Sequence, residues 1–419
     1  MKKILCVIAI SILYIISCNR NNVTSPIELI EGLTYPNSSM YSRNFRILSI
    51  DSAGNEDLSA SAKFYRIAEY DKLDIYIEEN EGYRKENIDY IVSEFNKHYD
   101  EEIRIYGNHT DVDGNNKIII VLYDIKNYTG GNINGFFHYF DLMKDRLNNG
   151  EILYMNIKVV NQDADYMSGT ILHELQHLIN WNVNYIKNGS EMSTWLNEAL
   201  SESTSVVFNE ATASSRIFEF KNMNGYYCFY TWNLPTEKVF PNHPNSKYLF
   251  ANYPSVSVFM NWLYQKNAQN PSVFQNIAKF SSDTDIDRVL KNVSFIGASS
   301  WDDLLFKWIE GINNGEVAGA EIKVQKENNN INLYPGALVV YNGSLTQSGN
   351  LLTRKLSSSL ELALNNDTYI GNNPTAINIT TPKASSVQAS KMYETVNDIF
   401  YISEERHILF GKDGNIKEY

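Results

Sequence analysis

Cysteine is scarce in this sequence, with three in 419 residues, so a disulfide framework cannot be what holds it together. It lacks any Lys/Arg-rich run, and 36 basic residues stand against 49 acidic ones for a formal net charge of −13. Nucleic-acid binding is thereby excluded as the main activity. No internal repeat is evident. What the chain does have is apolar and aromatic residues, 43% and 13%, with 20% charged. That composition supports sizeable cores and excludes wholesale disorder, and 419 residues suit two or three domains.

The position of the cysteines says more than their number. Lys2 and Lys3 precede an apolar run from Ile4 to Ile16, then Ser17 and Cys18. The run is too short for a membrane-spanning helix and has the form of an export signal. Ile15-Ile16-Ser17-Cys18 resembles the bacterial lipobox, although Ile16 is bulkier than the residue usual there. The expectation is a signal over 1–18, lipidation of Cys18, and a polar tether over 19–44. Loss of Lys2 and Lys3 would take the net charge from −13 to −15. The protein is then an exported envelope lipoprotein, held to a membrane by its N-terminal lipid. Cys228, among Tyr226, Tyr227, Phe229 and Tyr230, reads as a buried inert thiol.

From 45 onward the pattern is strand, helix, strand. Leu73–Ile77 alternates in the β manner, and Ile88, Ile91, Phe95 and Tyr99 fall at helical spacing. Lys117–Tyr123 is a continuous apolar run suited to a central strand. Asp111-Val-Asp-Gly-Asn115 resembles the opening of a calcium loop. The glycine comes too early, however, and no closing Glu follows at the required spacing, so a turn is the expectation. Residues 135–140 and 151–157 are further strand candidates, and 166–315 read mostly helical, including a helix over 300–311 capped by Ser300. After 320 the chain alternates again between Asn/Gly/Ser turns. The predicted architecture is α+β: one domain over 45–315 and a small all-β domain, a sandwich, over 320–419.

The chemistry concentrates in Gly169-Thr-Ile-Leu-His-Glu-Leu-Gln-His-Leu-Ile-Asn180. His173 and His177, four apart, project from one helical face about 6 Å from each other. At that separation two imidazoles can share one Zn²⁺. Glu174 sits beside them, placed to take a proton from an attacking water. A catalytic zinc needs a third protein ligand, and Thr194-Trp-Leu-Asn-Glu-Ala-Leu-Ser-Glu202 supplies one in Glu198. Glu202, one turn on, can hold a ligating histidine by its free N–H.

These two segments resemble the gluzincin metallopeptidases and, more narrowly, the hyicolysin-like bacterial peptidases, over about 70–310. The resemblance implies a zincin-like domain: a sheet whose edge strand takes extended substrate, an active-site helix and a helical lower part. It also implies a zinc-dependent endopeptidase acting on protein or peptide substrates, expected as a monomer. The edge strand would be 135–140 or 151–157. The oxyanion donor in such enzymes is often a Tyr one helix after the third ligand. Tyr253 is the first candidate here, with Tyr248 and His243 as alternatives. His98, His109, His138 and His407 have no ligand-like spacing. The reading from another class is a surface binding or adhesin lipoprotein that keeps a peptidase scaffold with weak or no catalysis.

Overall fold

A computed structural model describes residues 32–36, 41–50, 56–129, 133–144, 146–232, 248, 251–279, 284–325, 330–347, 351–367, 374–380, 408–410 and 416–418. The export signal, Cys18 and His243 lie outside these residues. The architecture is α+β, as the pattern predicts. One sheet of six strands carries β1 (Ser42–Arg46), β2 (Ser61–Tyr70), β3 (Leu73–Glu78), β4 (Ile118–Tyr123), β5 (Gly135–Phe137) and β6 (Ile152–Asn156) in the order β1-β2-β3-β4-β6-β5. The pairs β3/β4 and β4/β6 are parallel and the others antiparallel. Every residue of β4 is buried, which is why it reads as an unbroken apolar run: both of its faces are covered.

Part of the segment expected as a tether is already inside the fold. Thr34 bridges to Glu69 through paired backbone bonds of 2.9 Å, and Ser42–Arg46 is the β1 edge. Side chains at 42–46 alternate around the buried Phe45, so the polar look of this stretch marks an edge strand rather than a linker.

Helix α1 (Lys85–Tyr106) buries Ile88, Ile91, Val92 and Phe95 and packs on α2 (Ala164–Asn180). Asp163 caps α2 by accepting the Tyr166 N–H at 3.0 Å. From Met167 to Asn180 the helix is buried all round, so its polar residues face neighbouring elements rather than water. Helix α3 (Thr194–Phe208) and α4 (Glu210–Asn222) pack against it, and α5 (Asn252–Lys266) packs on both of these. Ser300 caps α6 (Trp301–Asn313) through the Asp303 N–H, as expected. Among the described residues no helix is long and apolar enough to cross a membrane.

Beyond 320 the described residues form two larger antiparallel sheets and a separate antiparallel pair, Ile408–Phe410 with Ile416–Glu418. One larger sheet contains β8 (Asn330–Leu333), β13 (Thr375–Thr380) and β10 (Ser344–Gln347), in that spatial order. The other has the order β11 (Leu351–Lys355), β12 (Glu361–Asn365), β9 (Leu338–Tyr341) and β7 (Tyr226–Tyr227). The last strand comes from the helical region, so the β part completes its sheet with residues from far upstream. Leu333, Val339, Ala363 and Ile377 share one core with Tyr226, Cys228 and Tyr248. Cys228 is fully buried and burial pushes its thiol up to about 11, the inert state expected of it.

Two glycines set how closely α2 is packed. A Cβ on Gly169 would lie 2.9 Å from Asn209 Cγ and would also strike Thr212 Oγ1. Asn209 is the cap of α4 and donates to Asp165 O at 2.9 Å and Ser168 Oγ at 3.1 Å, so it cannot step back without losing these bonds. A Cβ on Gly135 would meet Met155 Sδ at 2.7 Å and Thr170 Cγ2 at 3.1 Å, which fixes how near β5 lies to α2. Alanine is the better helix former by about 1 kcal/mol, whereas overpacking costs about 1–3 kcal/mol. Gly169→Ala is therefore expected to lower the thermal midpoint by several degrees, measured by calorimetry; a rise would show that the crowding is not real.

Candidate metal centre

The site forms where α2 and α3 meet. His173 and His177 rise from one face of α2 with ring centroids 4.8 Å apart, and their Nε2 atoms are 3.1 Å from each other. Glu198, on α3, brings Oε2 to 3.5 Å from His173 Nε2 and 3.6 Å from His177 Nε2. Three donor atoms at 3.1, 3.5 and 3.6 Å outline one face of a small tetrahedron. A tetrahedral zinc with bonds of about 2.0–2.1 Å requires ligand separations of about 3.3–3.4 Å. Two imidazoles and a carboxylate are also a donor set that zinc accepts. The residues present therefore fit the ion that the spacing of His173, His177 and Glu198 predicts, and all three are buried.

What holds the three donors in place is mostly invisible in the local pattern. Glu202 Oε1 lies 3.6 Å from His173 Nδ1, the ring nitrogen opposite the donor face. Glu202 is fully buried, and its charge is met by Arg216 of α4, which is 2% exposed. The guanidinium donates through Nε at 3.1 Å and Nη2 at 2.9 Å to Oε1, and through Nε at 3.1 Å to Oε2. Such a forked pair is the strong form of a charge-assisted bond. On the other histidine, His177 Nδ1 lies 3.1 Å from Ser201 Oγ, and that hydroxyl in turn donates to Gln176 Oε1. Asn180 at the end of α2 donates to Asn197 Oδ1, locking the residue that precedes Glu198.

Arg216, Ser201, Gln176 and the Asn180–Asn197 pair do not stand out in the sequence. Ser201 alone carries a local signal, lying three residues after Glu198 on the same helical face. Arg216 comes fourteen residues after Glu202, across a helix break, a distance with no periodic signature.

The oxyanion candidates separate. Tyr253 stands near the start of α5, 5% exposed, with its ring edge-on to Trp232 at 4.5 Å and the Arg216 guanidinium 5.0 Å from its centroid. Its ring thus lies against the guanidinium that answers Glu202. Tyr248 must be corrected: its ring packs between Tyr226 and Tyr334 at 5.1 and 5.0 Å, and its hydroxyl accepts the Asn332 N–H at 3.4 Å. It is a core residue of the β part, buried by apolar contacts that sequence spacing cannot reveal.

The edge strand is also decided. β6 is internal, between β4 and β5, which leaves β5 at the border of the sheet, packed on α2. The candidate edge is therefore 135–137, not 151–157. His138, directly after it, is buried, accepts the Phe140 N–H at 3.0 Å, and is driven down to about 3 by desolvation, so it stays neutral.

Two imidazoles and a carboxylate gathered at one buried point of an α+β fold make a candidate metal centre. The chain is similar to the neutral metalloprotease ShpI of Staphylococcus hyicus, 31% identical over 166 residues, covering 36% of this chain and 37% of that protein. Over that stretch it is a distant relative of a metallopeptidase, and the match spans little more than a third of the relative's length. No protein-family model matches the chain.

The Arg216–Glu202 pair yields a prediction. Removing one partner of a buried pair leaves the other charge uncompensated, at about 3–5 kcal/mol. Arg216→Ala should lower the thermal midpoint strongly, and Arg216→Lys should recover only part, because an ammonium cannot reproduce the fork. Equal stability of the Lys variant and the parent would refute a role for the forked geometry.

Proposed function

We propose that this protein is a zinc-dependent endopeptidase of the gluzincin type, carried on the bacterial envelope as a lipoprotein. The observation behind this is the buried triangle of His173, His177 and Glu198 donors, with spacings suited to one tetrahedral ion. The similarity to a named metalloprotease supports it.

Zinc bound to these residues would supply Lewis-acid polarisation of the scissile carbonyl and make a water acidic enough to attack at neutral pH. The remaining work falls to the chain. Glu174 follows His173 on α2 and is fully buried, so its side chain leaves the helix about 100° round from that of the histidine. It serves as the base that takes the proton of the attacking water, then as the acid that passes it to the departing amine nitrogen. Glu202, held by Arg216, orients His173, and Ser201 orients His177. β5 is antiparallel to β6 at the edge of the sheet and beside α2. An extended peptide added there would be held by backbone hydrogen bonds, a sequence-tolerant mode suited to a peptidase. Tyr253 is retained as the first candidate for the oxyanion donor. The binding-protein alternative is not favoured, since the similarity is to a named metalloprotease.

Glu174→Gln is expected to retain one zinc per chain by elemental analysis while losing casein cleavage by about two to four orders of magnitude. His177→Ala should lose the metal as well, and a zinc chelator should silence the parent. Parent-rate cleavage by the Gln variant would overturn the assignment of the base. Anchoring is tested separately: Cys18→Ala should abolish labelling by radioactive fatty acid and release the protein from the envelope fraction, and a parent chain that takes no label would refute the lipoprotein reading.

A further inference from the structure

Asp111 and Asp113, in the bend before β4, and Glu151, the residue before β6, offer three carboxylate oxygens all within 4.8 Å of one another. The aspartates are exposed or half-buried, whereas Glu151 is fully buried. Its Oε1 accepts the Val112 N–H at 2.9 Å. Its Oε2 is buried without a partner in hydrogen-bonding geometry, and the nearby Thr110 hydroxyl offsets only part of the burial that disfavours its charge. A buried carboxylate oxygen costs free energy unless something answers it, and two further acidic groups beside it deepen the cost. Arg43, whose charge reaches Asp113, gives its guanidinium to the Asn148 carbonyl instead.

We propose that Asp111, Asp113 and Glu151 form a calcium site that clamps the bend before β4 to the start of β6. An all-oxygen, triply anionic donor set suits a hard cation, and Ca²⁺ tolerates the irregular geometry and water ligands that such a half-open site provides. The missing closing Glu of the Asp111–Asn115 loop is supplied from the neighbouring parallel strand, about forty residues after Asp111. Ile119 N–H donates to the Glu151 carbonyl at 2.7 Å, so the sheet itself brings the acid to the loop. The site is independent of the zinc centre in its residues and in its ligand chemistry.

The test is calorimetric titration of calcium chloride into the full-length protein, with thermal unfolding alongside. The expected result is one Ca²⁺ per chain, with a Kd at or below the ~10⁻⁴–10⁻³ M typical of extracellular modules, and a midpoint that rises with calcium. Asp111→Asn can keep the bond that Asp111 Oδ1 accepts from Asn116 N at 2.9 Å while losing the charge, so it should fold normally and bind calcium about tenfold more weakly or worse. Glu151→Gln should do the same, and His177→Ala should bind calcium as the parent does. No saturable binding by the parent, parent affinity in both acidic variants, or loss of binding in His177→Ala with retention in Asp111→Asn would each overturn the proposal.

Discussion

The arrangement of the helical region depends on one electrostatic constraint: Glu174, Glu198 and Glu202 are all fully buried within two adjoining helices. Desolvating an isolated carboxylate is so costly that such groups are paired, neutralised or bound to metal. Arg216 answers Glu202 with a fork and is itself nearly buried, which forces α4 to return alongside α2 and α3. Gly169 is the steric counterpart of that demand, since any side chain there would push the Asn209 cap of α4 away. Glu198 sits against two imidazole nitrogens, where a dication answers its charge in the proposed enzyme. Rigidity at the centre is therefore a by-product of balancing charge in a dry place.

The same constraint explains why α2 is legible in the sequence and its supports are not. Two histidines four apart on a helix, with Glu174 between them, form a local pattern, fixed by 3.6 residues per turn whatever surrounds it. Glu198 and Glu202 repeat that local geometry on α3. The strand Ile118–Tyr123 and the helix cap at Ser300 are legible for equally local reasons. Arg216 meets Glu202 only because two helices fold back on each other. Tyr248 joins the β core only because Tyr226–Tyr227 pairs with a strand at 338–341. Distances through space that depend on tertiary packing leave no period in the chain.

The Asp111–Asn115 segment shows the same limit from the other side. As a stretch of sequence it lacks the acid that would complete a calcium loop, and a turn is the sound reading of it. The parallel pairing of β4 with β6 moves Glu151 into the gap, a relation that becomes visible only once strand order and register are known. A motif incomplete in one dimension can thus be complete in three.

Strand β6 ties these features together. Glu151 precedes its first residue, β5 pairs along its outer side, and a short helix over Ile157–Gln162 leads from its end to α2. The Asn134 carbonyl accepts the Asn156 N–H at 2.8 Å, and the Asn156 side chain caps that short helix through Lys158 N–H, so the entry to α2 is fixed on β6. A cation at Glu151 would therefore act on the strand that carries both the proposed substrate edge and the lead-in to the histidines. It would resist the fraying of β6 from its open end while leaving the donor triangle untouched. Coupling of this kind needs no signal between the sites, because a strand with its register pinned at one end holds its other end, and the helices beyond it, in one position.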